Sequence, residues 1–360
     1  MGGFLYLMLA AASAATSQAT DECNIDVAAV DSQQITCSNF DNAFTLTIPE
    51  CAAPGLIVDI HGLTMSAAIQ EANTNSQAIG GEHCFAVLQP SADGNSGQQG
   101  WKPLDDHENL LEVIEETISK LNLDRNRIHA MGMSQGGFAT WNLLCMASDL
   151  FCSVAPLAAS GLDPWGAGYG ENCFSDSGPA TPRSILYASG TTDPLANINR
   201  AREQKQNVVD RYGFVDNTGE NIPNLFDDMV ERKFTFTDND LTFQYVEFGS
   251  EGHLYPTHKS HCFPTLGSSG DTCDSGRPHY YIHGSLNHQC CAEWTWAERA
   301  VQFFVAHPCS ENNVQVKCQF ESDCAVGWTC EEVEVRRKLF GGVKGGVKEE
   351  DVDKVCKKLI

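Results

Sequence analysis

The sequence predicts an α/β protein: a mostly parallel central sheet with helices on both faces, followed by a small Cys-rich C-terminal appendage. Three observations carry this expectation. Strand-like and helix-like segments alternate from about residue 43 to residue 307. Several of the strand-like segments are short continuous apolar runs, the pattern of strands covered on both faces. Hydrophobic residues make up 42% of the 360, with 18 Phe, 8 Tyr and 6 Trp against 19% charged residues, enough apolar material for a large core.

Taken in chain order, Phe44-Thr45-Leu46-Thr47-Ile48 alternates as a strand does. Leu56-Ile57-Val58-Asp59-Ile60 and Cys84-Phe85-Ala86-Val87-Leu88 are apolar runs bounded by turn residues. Residues 106–121 carry Leu110, Ile114, Ile118 and Leu121 on one helical face, and Asp105 with Glu108 resembles a capping box at its start. Arg127–Met131 is the next strand, 135–146 the next helix, and Phe151–Leu157 is again strand-like. Ser184–Ala188 and Thr242–Val246 complete the strands, and a helix from about Ala292 must stop before Pro308. Residues 158–182 and 210–240 break the alternation and are expected to be surface insertions. The repeat Gly341-Gly342-Val343-Lys344-Gly345-Gly346-Val347-Lys348 lacks the spacing and the Ser/Thr of a phosphate-binding loop and is expected to be a flexible loop.

Composition also bounds compartment and partners. Phe4–Ala12 is a short apolar run followed by small residues that offer cleavage after Ala14, Ala15 or Ala19, so residues 1–19 are expected to be a secretory signal peptide, too short to span a bilayer. Sixteen cysteines fit an oxidising, extracellular compartment, where they form disulfides. If Cys309 belongs with the body, twelve cysteines lie in residues 20–309 and four (Cys318, Cys324, Cys330, Cys356) in a C-terminal module of residues 310–360. The absence of any CxxC pair argues against zinc. There is no Asn-x-Ser/Thr site for N-glycosylation. The formal charge of −24 repels phosphate backbones and argues against nucleic-acid binding. Nearly all of that charge lies in the body, since residues 309–360 hold 9 Lys and Arg against 10 Asp and Glu.

Gly132-Met133-Ser134-Gln135-Gly136 is a GxSxG element placed where a strand ends and a helix rich in small residues begins. A nucleophilic serine needs such a sharp turn. Glycines two positions to either side remove side chains that would collide there, and the hydroxyl stands above the strand ends at the positive end of a helix. The alternative is an ordinary turn with a helix-capping serine. A serine hydroxyl also needs a base, and in sheets of this kind the partners follow in the order Ser, Asp or Glu, His. Asp193, in Gly190-Thr191-Thr192-Asp193-Pro194, lies just beyond a strand and is the expected acid, ahead of Asp163, Asp238 and Asp240. His253, in the Gly-flanked loop after the last strand, is the expected base, ahead of His279, His283 and His288. The alternative for His253, His258 and His261 is a metal site, but Pro256 breaks any helix joining them, and no metal is expected. Ile60-His61-Gly62-Leu63 supplies an early loop whose Leu63 N–H, together with the Gln135 N–H, forms the expected oxyanion hole. His61 itself is expected to be a buried structural histidine.

These pieces together resemble the α/β-hydrolase superfamily and, within it, the secreted feruloyl esterases and polyhydroxybutyrate depolymerases. The resemblance covers roughly residues 43–307. It rests on Ile60-His61-Gly62, Asp105-Asp106, Leu123–Ile128 leading into the Ser134 turn, Asp149-Leu150-Phe151, Val154–Ala158, Gly190-Thr191-Thr192-Asp193 and Gly252-His253. The loop at Gly252-His253 departs from the family in lacking a nearby Trp, and Cys262–Cys291 is unusually long and Cys-rich. The resemblance implies hydrolysis of a carboxylic ester through an acyl-enzyme, without metal or organic cofactor. Trp101 and Trp165, with Tyr169 and Phe174, are candidates to line an acyl pocket for a feruloyl-type, polysaccharide-linked ester; the alternative is that they are ordinary core or surface aromatics. A polyester substrate would instead require an apolar patch beside the serine. A third expectation, from another class, is a secreted binding protein on a hydrolase scaffold with the Cys-rich tail as its working part.

Overall fold

A computed structural model describes residues 23–93, 100–102, 105–160, 173–176, 178–191, 193, 195–223, 230–238, 241–248, 261–266, 289–292, 294–309, 328–333 and 353–358. Residues 1–22 and most of 310–360 lie outside these, and with them the expected signal peptide and most of the expected C-terminal module. The strands are β1 (Asp31–Ile35), β2 (Phe44–Ile48), β3 (Gly55–Ile60), β4 (Phe85–Gln89), β5 (Ile128–Met133), β6 (Ser153–Leu157), β7 (Ser184–Gly190), β8 (Val215–Pro223), β9 (Val230–Asp238), β10 (Leu241–Phe248), β11 (Phe263–Leu266), β12 (Gln289–Ala292), β13 (Trp328–Val333) and β14 (Asp353–Lys358). The helices are α1 (Ala67–Thr74), α2 (Ser76–Glu82), α3 (Asp105–Leu121), α4 (Gln135–Met146), α5 (Cys173–Asp176), α6 (Ile198–Tyr212) and α7 (Trp296–Ala306).

Ten strands form one sheet in the order β1-β2-β4-β3-β5-β6-β7-β10-β9-β8. The six from β4 to β10 are parallel. Antiparallel strands close both edges, β1 and β2 on one side and the β8–β9 hairpin on the other. The sequence alternation foresaw the six parallel strands and helices α3, α4 and α7 to within a few residues, but not α1, α2 or α6. It did not foresee the hairpin: where residues 210–240 were expected to be a surface insertion, β8 and β9 continue the sheet.

Parallel strands need covering on both faces, and side-chain alternation divides the core accordingly. Leu56, Val58 and Ile60 of β3, with Ile128 and Ala130 of β5, pack into a cluster with α3, α4 and α6. Ile57 of β3 and Met131 and Met133 of β5 face the opposite side, where α7 and the start of α1 and α2 cover them. Parallel pairing also places the C-terminal ends of β3, β5, β7 and β10 along one edge, where loops from distant parts of the chain converge.

Disulfides tie the periphery to this core: Cys23–Cys37, Cys51–Cys84, Cys145–Cys173 and Cys152–Cys309. Cys262 is also disulfide-bonded, and no cysteine among the described residues is free. Cys309 thus belongs with the body, and its N–H also donates to the Asn126 carbonyl at 2.9 Å. In the C-terminal segment, β13 and β14 pair antiparallel with Cys330 opposite Cys356 in the register. Among the described residues no helix is long and apolar enough to cross a membrane.

Candidate active site

Ser134 occupies the one-residue turn between β5 and α4. Its backbone has φ 56° and ψ −120°, a region that non-glycine residues enter only where the surroundings hold them there. Its N–H donates to the Leu157 carbonyl at 2.9 Å, and its carbonyl accepts from the Phe138 N–H at 3.0 Å, fixing the turn between β6 and the helix. The hydroxyl makes no capping bond to α4, which excludes the capping-serine alternative. The glycines act by absence. A Cβ on Gly136 would overlap the Ile60 carbonyl oxygen and come within 2.6 Å of that of His61, and a Cβ on Gly132 would run into the Gly136 carbonyl. Only bare backbone lets the helix start lie this close to β3.

The Ser134 hydroxyl lies 2.9 Å from Nε2 of His261. Nδ1 of the same ring lies 2.7 Å from Oδ2 of Asp193. Asp193 follows the end of β7, and its Oδ1 accepts the N–H groups of Leu195 and Ala196 at 2.8 Å each. A carboxylate held by two backbone donors cannot swing away. It therefore orients the imidazole with Nδ1 towards the carboxylate and Nε2 towards the Ser134 hydroxyl. Both partners are nearly inaccessible, Asp193 at 6% and His261 at 4% exposure, while Ser134 is half-buried and reachable.

The base was expected at His253. His253 lies outside the described residues, and the imidazole that touches both Ser134 and Asp193 is that of His261. The sequence drew attention to His253 because it stands nearest the last strand between flexible residues. His261 is the residue directly before Cys262, whose disulfide and the following β11 hold the chain at that point. The neighbouring cysteine was the available signal, and it points to anchoring rather than to chemistry. Both ring nitrogens of His261 are within hydrogen-bond distance of other side chains, Asp193 and Ser134. Among the described residues no group of three or more His, Cys, Asp or Glu could hold a metal ion.

Gly62 and Leu63 follow β3 and pass directly beside the serine: a Cβ on Gly62 would lie 3.3 Å from Cβ of Ser134. Leu63 is 40% exposed at the rim. Gln135 is buried at the first position of α4. His61 is a structural histidine as expected, with Nδ1 2.7 Å from the Gly62 carbonyl and Nε2 accepting the Ala92 N–H at 2.9 Å. Burial pushes its imidazole down to about 4.

Two of the aromatics named as pocket candidates are core residues instead, the alternative weighed for them. Trp101 is 2% exposed, and its indole N–H donates to the His61 carbonyl at 2.9 Å. Phe174 is buried edge-on against Trp141. Each is shut into the core because its ring finds apolar or hydrogen-bonding partners there. Trp165 and Tyr169 lie outside the described residues.

No family model matches the chain. Among curated proteins, it is 24% identical over 168 residues to the bifunctional acetylxylan esterase/xylanase XynS20E of Neocallimastix patriciarum, covering 46% of this chain and 23% of that protein. It is 29% identical over 113 residues to poly(3-hydroxyalkanoate) depolymerase C of Paucimonas lemoignei, covering 29% and 27% respectively. The matches thus span about a quarter of the length of either relative. Among solved structures, the acetyl xylan esterase from Aspergillus awamori matches with a TM-score of 0.48 at 17% identity, covering 60% of this chain and 92% of that one.

Proposed function

We propose that this chain, whose fold is that of the α/β-hydrolases, is an exported serine esterase that removes acyl groups, acetyl or feruloyl, esterified to plant or algal polysaccharide. The single observation that carries the reading is the unbroken relay from Asp193 through His261 to Ser134. His261 takes the proton as Ser134 Oγ attacks the ester carbonyl, and Asp193 stabilises the resulting imidazolium. The N–H groups of Leu63 and Gln135 receive the oxyanion. Collapse of the tetrahedral intermediate expels the alcohol, which takes the proton from His261. Water then attacks the acyl-enzyme by the same route and restores Ser134. No step calls for a metal or an organic cofactor. The polysaccharide ester is supported by the likeness to an acetylxylan esterase, and export by the disulfides.

A polyester substrate is the second reading, favoured by the likeness to a polyhydroxyalkanoate depolymerase and by exposed Leu63 and Leu195 near the site. Release of acetate from acetylated xylan and of ferulate from methyl ferulate, compared with clearing of a polyhydroxybutyrate film, decides between them. Labelling of Ser134 by a fluorophosphonate tests the hydrolase itself. An unlabelled, folded protein would leave only the binding-protein alternative.

A further inference from the structure

We infer that Trp101 is a positioning residue that holds the two halves of the oxyanion site in register, with the Gln135 side chain as its latch. The inference rests on the ester-hydrolase reading above. An oxyanion hole works only if its donors are already aimed at a charge that exists in the transition state alone. Here the two N–H groups come from separate segments, the loop after β3 and the first residue of α4. Trp101 is bonded to both. Its backbone N–H donates to Gln135 Oε1 at 3.0 Å, and its carbonyl accepts from Gln135 Nε2 at 3.1 Å, so the side-chain amide pairs with this residue as a neighbouring strand would. Its indole N–H donates to the His61 carbonyl at 2.9 Å, two residues before Leu63, and the indole and imidazole centroids are 5.0 Å apart.

The short segment 100–102 that carries Trp101 is fixed from outside the catalytic residues. At one end the Gly100 N–H reaches the Asp93 carbonyl at 3.5 Å. At the other, the Lys102 N–H donates to Asp106 Oδ2 at 2.6 Å, at the start of α3. Gly100 also abuts the side chains of Leu63 and Gln135, since a Cβ there would lie 2.6 Å from Leu63 Cδ1 and 3.1 Å from Gln135 Oε1. One anchored segment therefore sets the position of both proposed donors. The Trp101 bonds to Gln135 and His61 are buried, where competing water is excluded and each is worth most.

Two substitutions separate positioning from mere packing. Trp101→Phe keeps a buried ring but removes the indole N–H. Gln135→Met keeps the length and the backbone N–H but removes both amide bonds. Each variant is titrated to endpoint with a fluorophosphonate, so that turnover is expressed per competent site. For both, kcat on a short-chain aryl ester is expected to fall about ten- to a hundredfold, with KM changed less than about threefold. Affinity for a trifluoromethyl ketone, whose adduct with Ser134 carries the anionic oxygen, is expected to fall by the same factor as kcat/KM. Turnover per titrated site unchanged in both variants, with only the melting temperature lowered, would overturn the inference. If Trp101→Phe does not fold, Gln135→Asn, one methylene too short to reach segment 100–102, provides the same contrast. Failure of the wild-type protein to label at Ser134 would instead remove the hydrolase reading and this inference with it.

Discussion

At the residue scale, the proposed chemistry depends on three side chains whose backbone positions are enforced by their surroundings. Ser134 pays for its φ of 56° with backbone strain of about 1–3 kcal/mol, and its N–H bond to Leu157 and the glycines beside it hold it there. Asp193 is held by two backbone donors, and His261 by Asp193. Members of such a unit are non-additive, so Ser134→Ala and His261→Ala are each expected to lower kcat by about 10⁴-fold or more, and the double variant by little beyond either. His253→Ala is expected to retain wild-type turnover. Hydrolysis of a short-chain aryl ester by the four purified variants checks this, and loss of activity in His253→Ala alone would restore the base to the loop outside the described residues.

At the element scale, the close approach of α4 to β3 is the tightest constraint on the site. Gly136→Ala places a methyl against the Ile60 and His61 carbonyls. Relief requires moving the very loop that carries Gly62 and Leu63. We expect destabilisation of about 1–3 kcal/mol together with loss of turnover, read by thermal melting and by the ester assay. The elements that periodicity did not reveal have physical reasons for being hidden. Helices α1 and α2 show no apolar stripe because they turn polar groups inward. Gln70 Nε2, Thr74 Oγ1, Ser76 Oγ and Gln89 Nε2 all donate to the buried Asp59 carboxylate on β3, at 2.6 to 3.0 Å. Burial raises the Asp59 pKa, and these four bonds oppose the rise. Helix α6 buries little more than Ala201, Gln204 and Val208, and is marked instead by its Asn197 cap and by Gly213 in the left-handed region at its end.

At the scale of the whole molecule, two features govern stability. The Cys152–Cys309 bridge closes a loop of sequence separation 157 and ties the end of the last helix to the sheet. By loop-closure entropy its loss is expected to cost about 5 kcal/mol, so Cys309→Ser should lower the denaturation midpoint far more than surface substitutions do. Acid acts through buried histidines. His61, His107 and His129 are fully inaccessible, and burial pushes them down to about 4, about 4 and about 3. Because these folded values lie below the unfolded one of about 6.5, the unfolded chain takes up protons first. Their contribution is fully present above pH 6.5 and is lost as pH falls from there towards 4, at about 1.4 kcal/mol per pH unit for each histidine. The raised Asp59 acts in the opposite sense. Urea denaturation at pH 7.5 and pH 5 is expected to show the loss. His129, stacked on Phe304 and bonded to Ser153 Oγ, offers the check: His129→Gln should flatten the slope.

What the sequence determined by itself was everything written in local pattern. Apolar runs marked the six parallel strands, and the glycines around Ser134 marked a turn that only a bare backbone tolerates. The position of Asp193 just past a strand singled it out as the candidate acid, and the even cysteine count placed Cys309 with the body. What only the tertiary structure decided was which side chains meet across long stretches of chain. His261 reaches Ser134, where local pattern had pointed to His253, because spacing along the chain does not say which side chain packing brings to the serine. Trp101 bridges the loop after β3 and the start of α4 instead of lining a pocket, because its indole N–H finds the His61 carbonyl and its backbone pairs with the Gln135 side-chain amide.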